Sequence, residues 1–284
     1  MADPLQFSKY HALGNDYLVV GPAFDPSEAL IRRLCDRHRG VGSDGILLGP
    51  LPVPDDPGAF GLRIFNPDGG EAEKSGNGLR IFARHLRETG LAPGETCRIR
   101  TAGGMAPARF LDPEGDEIEV DMGPPSFRAG DVPFTGLAAE EEALETRLLV
   151  EGQTWTVTSL SVGNPHCVVF PRRTTADLAR RLGPAIERHR CFPRGVNVQF
   201  VEVVDRTRIR IEIWERGAGY TLASGSSSCA AAAACRRLGL VEAGLTVEMP
   251  GGEVRIAFPD SGRILLTGPV RPVCQGHLHP GWTP

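Results

Sequence analysis

Apolar residues recur at helical spacing in two segments that lie far apart in the chain. The first segment predicts an amphipathic helix over 76–89, ended by Gly90, because four apolar residues follow the spacing i, i+3, i+4 and i+7: Leu79, Phe82, Ala83 and Leu86. The second segment carries a run of alanines, which favours a helix over 225–238 that ends at Gly239. We therefore expect two helices of similar length with similar ends.

Shorter elements surround these two helices. Two further helices are predicted at Ser27–His38, with Ser27 as the N-cap, and near Thr175–Arg190. Strands are predicted where apolar and β-branched residues cluster or alternate: Leu62–Phe65, Ile118–Met122, Trp155–Leu160, Ile209–Trp214 and Glu253–Phe258. Glycine-rich turns join these segments. The mixture of helices and strands predicts the α+β class.

The two halves of the chain resemble each other at an offset of about 149 residues. Asn15 matches Asn164, each in a Gly-Asn turn, and Ser75 matches Ser224. Further matches keep the same order along the chain: Gly40-Val41-Gly42 with Gly195-Val196-Asn197, Gly90 with Gly239, Gly103-Gly104 with Gly251-Gly252, and Gly123-Pro124 with Gly268-Pro269. Collinear matches of this kind indicate two copies of one domain.

The repeat predicts two pseudo-symmetric domains, each a curved, mostly antiparallel sheet around a central helix. The first is expected over residues 1–124 and the second over residues 125–284. The final strand and tail of the second half are expected either to stay with it or to return to the first domain. Since duplicated domains bind ligands where their matching loops face each other, the site is expected there.

Composition and charge indicate which kinds of partner the protein does not bind. Lysine and arginine total 31 against 35 acidic residues, a net charge of −4, and the absence of a long basic block argues against nucleic acid as a partner. No apolar run reaches the length of a membrane-spanning helix, and the start MADPLQFSKY lacks the features of a secretory signal. We therefore expect a cytoplasmic protein without a membrane partner.

Several motifs resemble disulfide, nucleotide, metal or cofactor sites but lack the residues or the context that such sites need. The seven cysteines lack a CxxC pair and are expected to be reduced thiols. The GxGxxG run at 40–45 follows a helix instead of a strand, which argues against a nucleotide site. Cys274, His277 and His279 lack a fourth zinc ligand, and no phosphate-anchoring site accompanies the lysines that a pyridoxal enzyme would need. We expect neither a metal nor a cofactor.

The loops before the two central helices carry the candidate chemistry. Ser75 and Ser224 each precede a helix, where serine is a common N-cap, and where unpaired N–H groups and the helix dipole also favour an anion such as a carboxylate. The helix starts Gly76-Asn77 and Gly225-Ser226 would cradle that anion. Other polar residues match across the repeat or lie beside those that do: Asn15, Asn164, Asn66, Glu215 and Arg216. His11 and His166 are candidate acid–base groups, or rings that cap a loop or pack internally.

Six motifs in order make the chain resemble the diaminopimelate epimerase family, the cofactor-independent epimerases of lysine and peptidoglycan synthesis. The motifs are FSKYHALGNDY (7–17), GVGSDGILL (40–48), FNPDGGEAEKSGNG (65–78), SVGNPHCVV (161–169), GVNVQF (195–200) and ERGAGYTLASGSSSCA (215–230). The resemblance implies that an amino-acid substrate is clamped between two pseudo-symmetric domains. It assigns substrate contacts to Asn15, Asn66, Gly76, Asn77, Asn164, Asn197, Glu215, Arg216, Gly225 and Ser226. A homodimer is expected on the same ground.

The chain departs from the family pattern at its chemical centre. The family uses two cysteines on opposite sides of the substrate α-carbon, and the matching positions here are Ser75 and Ser224. Tyr220 stands where the family usually has glutamate, and it is an auxiliary site candidate together with His11 and His166. A hydroxyl is a far weaker acid than a thiol, which needs only a modest pKa shift to serve as a base.

Three hypotheses follow from these departures. The first is an amino-acid epimerase, an isomerase that converts LL- to meso-diaminopimelate through Ser75 and Ser224. The second is a related isomerase or dehydratase that transfers a proton on one face, with His11, His166 or Glu215 as the base. The third is a non-catalytic amino-acid-binding protein that retains the clamp.

Overall fold

The computed structural model describes residues 5–279, 281 and 282, so residues 1–4 of the expected signal-free start lie outside the described residues. The chain divides into two compact units, which are described separately. Unit 1 comprises Met1–Val120 and Gly268–Pro284, and unit 2 comprises Asp121–Thr267. The division therefore assigns the end of the chain to unit 1. No helix in the described part of the chain is long and apolar enough to cross a membrane.

The elements follow each other in a mixed order. The helices are α1 Glu28–Cys35, α2 Gly76–Glu88, α3 Ala176–Glu187 and α4 Gly225–Arg237, with a 3₁₀ turn at Ala129–Asp131. The strands are β1 Gln6–Ala12, β2 Asn15–Val20, β3 Ile46–Leu51, β4 Phe60–Phe65, β5 Glu71–Ala72, β6 Thr96–Thr101, β7 Gly104–Phe110, β8 Glu117–Gly123, β9 Thr146–Val150, β10 Gln153–Ser161, β11 Pro165–Val169, β12 Asn197–Asp205, β13 Arg208–Glu215, β14 Gly219–Thr221, β15 Gly244–Met249, β16 Gly252–Ala257, β17 Ile264–Pro269 and β18 Arg271–His277.

The strand ladder of unit 1 is mostly antiparallel. Strand β1 pairs with β2 on one side and with the returning β18 on the other. The ladder continues through β3, β4, β6, β7 and β8, with β5 as a short addition on β4. Two of these pairings, β2 with β3 and β4 with β6, are parallel.

Unit 2 repeats this ladder strand for strand. Here β10 pairs with β9 and β11, and the ladder continues through β12, β13, β15, β16 and β17, with β14 as the short addition on β13. The parallel pairs, β11 with β12 and β13 with β15, occur at the corresponding places. The predicted α+β fold with two pseudo-symmetric halves is confirmed.

The two predicted central helices are present as α2 and α4. Helix α2 packs against β1, β2, β6 and β7, and α4 packs against β10 to β13, β15 and β16. Gly90 and Gly239 follow the helix ends with φ of 75° and 74°, the left-handed conformation that glycine adopts most easily. Ser27 caps α1 and Thr175 caps α3, and each accepts a backbone N–H three residues later.

Strand β3 shows how unit 1 buries both faces of its sheet. Ile46 and Leu48 belong to an apolar cluster with Ile31 and Leu34 of α1. The alternate residue Leu47 approaches Gly78 at the start of α2, where an added methyl group would lie 3.0 Å from its Cδ2 atom. A strand buried on both sides is apolar throughout, as this one is. The sheet therefore holds the start of α2 firmly in place.

Candidate active site

Ser75 is the N-cap of α2 in the structure. Its backbone is extended, with φ of −140° and ψ of 119°, and its Oγ accepts the Gly78 N–H at 3.0 Å. The side chain is half-buried. The first N–H groups of a helix lack intrahelical acceptors and carry the positive end of the dipole, so the Oγ lies where negative charge is stabilised. Capping and a role in binding or catalysis are compatible at this position.

Two predicted contact residues meet beside Ser75. Asn77, in the first turn of α2, donates from Nδ2 to Asn15 Oδ1 at 2.9 Å. Asn15 in turn donates to Asp44 Oδ2 at 3.1 Å. The fully buried Arg80 donates to Asn77 Oδ1 at 2.5 Å and to the Gly76 carbonyl at 3.3 Å. Each amide is therefore held from both sides.

A cluster of charged side chains lies next to Asn15 and contacts it through Asp44. Asp16 lies 2.9 Å from Lys9 and 2.7 Å from Arg37, and Arg37 also donates to Asp44 at 2.8 Å. Burial opposes ionisation of Asp16, but the hydrogen bonds from Arg37 and Lys9 outweigh it and lower the pKa of Asp16 to about 2. Burial, with the nearby Asp16 charge, raises the pKa of Asp44. The cluster fixes the β2 start that carries Asn15.

Asn66 sits in the turn between β4 and β5. Its backbone N–H donates to the Gly70 carbonyl at 2.8 Å and its carbonyl accepts the Gly69 N–H at 3.0 Å. The side chain is half-buried. The turn therefore fixes the backbone of this predicted contact residue.

Ser224 is the N-cap of α4, as predicted from the repeat. Its φ is −148° and its ψ is 122°, and its Oγ accepts the Ser227 N–H at 3.4 Å. Ser227 Oγ accepts a hydrogen bond of 3.0 Å from Gln199 Nε2, and the Ser224 N–H lies 3.4 Å from Met249 Sδ. Gly225 and Ser226 are buried in the first turn. This helix start resembles that of α2 but is lined by neutral groups.

His166 is fully enclosed in unit 2. Its Nε2 lies 2.9 Å from Asn164 Oδ1, and its side chain has no exposed surface. Burial lowers the pKa of His166 to about 3, so the ring is neutral near pH 7. It therefore orients Asn164 at the start of β11.

Asn197 joins three chain segments of unit 2. Its Nδ2 donates to the Pro165 carbonyl at 2.9 Å, and its Oδ1 accepts the Arg216 N–H at 3.0 Å. Behind it, Glu187 accepts from Trp214 Nε1 at 2.7 Å and from the Gly217 N–H at 3.1 Å. Glu215 and Arg216 follow directly on this anchored strand end, and both are half-buried. Their backbone is held before any ligand binds.

Two auxiliary candidates have local partners. His11 Nδ1 accepts the Gly14 N–H at 3.2 Å, which fits the interpretation that the ring caps a loop. Tyr220 donates to Glu212 at 2.6 Å, and Arg180 lies over its ring at 3.9 Å. Burial and the Glu212 carboxylate raise the pKa of Tyr220 to about 12, so its phenol is protonated near pH 7.

Sequence patterns alone do not reveal the residues that support the site. Arg80, Asp44, Gln199 and Glu187 were not singled out, although all hold predicted contact residues or their loops. Arg80 offered a signal, since a charged residue lies among the apolar positions of a predicted amphipathic helix, three residues after Asn77. Gln199 and Glu187 come close to the site only through the fold.

Burial keeps three of the cysteines in their thiol form. All seven are free, and five are buried. Burial raises the pKa of Cys97, Cys167 and Cys235 to about 12, which keeps them as thiols near neutral pH. Within residues 5–279, 281 and 282, no group of three histidine, cysteine or acidic side chains is arranged to bind a metal ion.

Comparison with known sequences gives the family. The sequence profile of diaminopimelate epimerase matches residues 7–128 and 158–273. Diaminopimelate epimerase 2 of a Nostoc species is 47% identical, with 96% of this chain and 95% of that protein covered. Diaminopimelate epimerase of Moorella thermoacetica is 38% identical, with 96% and 98% covered.

Solved structures give the same fold. A hydroxyproline epimerase from Agrobacterium vitis has a TM-score of 0.75 at 17% identity, with 97% of this chain and 92% of that chain covered. A phenazine biosynthesis protein of the PhzF family from Bacillus anthracis has a TM-score of 0.63 at 17% identity, with 98% and 99% covered. The duplicated fold and the family match define an isomerase of the epimerase and racemase class. The chain belongs to the diaminopimelate epimerase family.

Proposed function

We propose that this protein is an amino-acid epimerase that converts LL- to meso-diaminopimelate, a step of lysine biosynthesis, through Ser75 and Ser224. The observation that carries the proposal is the equivalence of the two serines. Each is the N-cap of the central helix of its unit, and each Oγ accepts the N–H three residues later. The related proteins from Nostoc and Moorella thermoacetica are diaminopimelate epimerases.

The proposed reaction removes the α-proton on one face and delivers a proton on the other. One serine Oγ accepts the α-proton while its own hydroxyl proton passes to a neighbouring base, the electron pair of the C–H bond stays on the α-carbon, and the second serine donates its hydroxyl proton to the opposite face. The helix N-terminus next to each Oγ stabilises the alkoxide character that develops. No cofactor takes part in this proposal.

The remaining candidate residues would bind the substrate. The helix starts Gly76-Asn77 and Gly225-Ser226 suit a carboxylate, since both present backbone N–H groups. The amino and carboxyl groups of the substrate would contact the other polar candidates: Asn15, Asn66, Asn164, Asn197, Glu215 and Arg216. The hydrogen bonds that hold Asn15, Asn77 and Asn197 support this role, because oriented groups lose little entropy when a ligand binds.

The expected homodimer and cytoplasmic location belong to the same proposal. Light scattering of the purified chain tests the first, since a homodimer has twice the chain mass of 30.5 kDa. Fractionation of the source cells tests the second.

Proton NMR in deuterated water tests the function. We expect LL-diaminopimelate to lose an α-proton signal while the meso isomer forms, and Ser75→Ala and Ser224→Ala each to abolish the inversion. Ser126→Ala, which removes a serine distant in sequence from both helix starts, serves as the control. Exchange without inversion would instead support one-face chemistry by a related isomerase or dehydratase. Binding without exchange would support an amino-acid-binding protein.

A further inference from the structure

Tyr17 reaches Ser75 across the interior of unit 1. The two hydroxyl oxygens lie 3.3 Å apart, and Tyr17 is only 6% exposed. Ser75 Oγ already accepts the Gly78 N–H at 3.0 Å, which fixes its position at the helix start. The hydroxyl protons of Ser75 and Tyr17 can therefore be shared between these two oxygens.

The ring of Tyr17 is held in this orientation by close packing. An added methyl group on Gly45 would lie 2.6 Å from Tyr17 Cε1 and 2.5 Å from the Phe65 carbonyl oxygen, so only glycine leaves room for the ring. The Gly45 carbonyl accepts the Leu18 N–H at 3.1 Å, which joins the two segments next to the ring. Tyr17 also pairs with Tyr10 across strands β1 and β2.

We infer that Tyr17 is a positioning residue that carries protons to and from Ser75. The inference rests on the proposed function. The relay starts from the ionised Tyr17, whose phenol proton is released to solvent before the substrate binds. As Ser75 Oγ then accepts the α-proton, its own hydroxyl proton passes to the Tyr17 oxygen, and the electron pair of the C–H bond stays on the α-carbon. In the reverse direction the Tyr17 hydroxyl protonates Ser75 Oγ while Ser75 gives its proton to the carbon. Atoms and charge balance in both directions.

The chemistry favours such a pair when the residue at the helix start is a serine. An unperturbed phenol has a pKa of about 10, close to the value of about 8.5 for a thiol. A serine hydroxyl is far less acidic and needs a neighbouring base to act as a nucleophile or base. The ionised form of a phenol one hydrogen bond away supplies that base without entering the substrate site.

The groups around the N-cap serine differ between the two units. The residue equivalent to Tyr17, at the same offset of 149, is His166, and its Nε2 lies against Asn164. In unit 2 the Ser224 N–H lies against Met249 Sδ, and its Oγ accepts from Ser227. Loss of the Tyr17 hydroxyl is therefore expected to affect proton transfer at one face of the substrate.

The test compares Tyr17→Phe in two backgrounds. In the unmodified enzyme we expect a loss of about 10²-fold in kcat, with KM changed less than about 2-fold, because a proton relay is removed. In a Ser75→Cys background the thiol acts on its own, so the same change is expected to cost less than about 3-fold. Tyr10→Phe is the control, since that buried hydroxyl contacts His85 and Glu88 instead.

The outcomes distinguish a failure of the proposed role of Tyr17 from a failure of the proposed epimerase function. An equal loss from Tyr17→Phe in both backgrounds would show a purely structural role and overturn the inference, as would an unchanged kcat in the unmodified enzyme. Thermal unfolding of every variant identifies losses that come from misfolding. If the unmodified enzyme exchanges no α-proton in deuterated water, the proposed function fails and this inference fails with it, whereas exchange that is insensitive to Tyr17→Phe overturns the inference alone.

Discussion

Arg80 donates to the side-chain oxygen of Asn77 over 2.5 Å, one turn away in the same helix. The guanidinium has no exposed surface, so a charge is kept inside unit 1. Because Asn77 Nδ2 donates onward to Asn15, the arginine determines how both amides are turned. A buried charge is costly unless it is paired and hydrogen-bonded, so its position beside the candidate contact residues suggests a positioning role.

Replacement of this arginine by a straight apolar chain tests that role. Arg80→Met keeps most of the side-chain volume but removes the donors to Asn77 and the Gly76 carbonyl. We expect the free energy of unfolding to fall by about 2–4 kcal/mol and KM to rise, because Asn77 loses a fixed orientation. Urea denaturation and steady-state kinetics measure the two effects. Arg98→Met, which breaks an exposed pair with Asp56, is the control and should cost less than about 1 kcal/mol. Equal losses would contradict the role.

His166 gives unit 2 a specific pH dependence. Burial lowers its pKa to about 3, whereas the pKa of a histidine in the unfolded chain is about 6.5. Well above that pH both states are neutral and the residue adds no pH dependence. As the pH falls below this value only the unfolded state gains the proton, so the free energy of unfolding falls by up to about 1.4 kcal/mol per pH unit until the folded pKa is reached.

Urea midpoints between about pH 6.5 and 4.5 measure this loss. His166→Gln, which keeps an amide able to bond Asn164, should remove about 2 kcal/mol of the pH dependence across that range. His38→Gln changes an exposed histidine and should leave the slope intact. Asp16 does not disturb the comparison, because its stabilisation is lost only as the pH falls from about 4 toward its pKa of about 2. Parallel curves for the unmodified protein and His166→Gln would contradict the assignment.

Gly45 is the residue that gives Tyr17 its space. Gly45→Ala places a methyl group 2.5 Å from a backbone oxygen and 2.6 Å from the tyrosine ring, so either the strand or the ring must shift. We expect a loss of about 1–3 kcal/mol in unfolding free energy, together with a fall in kcat. Differential scanning calorimetry and kinetics provide the measurements. Gly21→Ala, where the added methyl group meets nothing within 4 Å, should leave both nearly unchanged. A tolerated Gly45→Ala would show that the Tyr17 position is not constrained.

The sequence predicted the repeat because matching glycines and helix caps are local signals. Gly90 and Gly239 end their helices, and Ser75 and Ser224 begin them, as the spacing indicated. Runs of β-forming residues located β4 and β13, and alternation located β8, β10 and β16, each to within two residues of its bounds. Turn chemistry and periodicity depend on neighbouring residues, so one sequence is enough to show them.

The supporting contacts could not be predicted in the same way. The Tyr17 to Ser75 pair spans 58 residues and the Arg37 to Asp16 pair spans 21, so both depend on how strands are ordered in the sheet. The return of β18 to β1 joins the two ends of the chain and leaves no local signal. Which nitrogen of His166 meets Asn164, and how deeply the ring is buried, likewise follow from packing that no local spacing reveals.

Restoring thiols at the two helix starts tests the proposed function directly. Ser75→Cys combined with Ser224→Cys puts a group with a pKa of about 8.5 at the positive end of each helix, where the thiolate is further stabilised. If both positions face the α-carbon, epimerisation of LL-diaminopimelate is expected to rise by at least about 10²-fold. Each single variant should gain less, because inversion needs proton transfer on both faces. Proton NMR in deuterated water follows exchange of the α-proton, and chiral chromatography follows inversion of the α-carbon. A double variant that binds diaminopimelate, unfolds at the same temperature and still fails to epimerise it would remove Ser75 and Ser224 from the reaction.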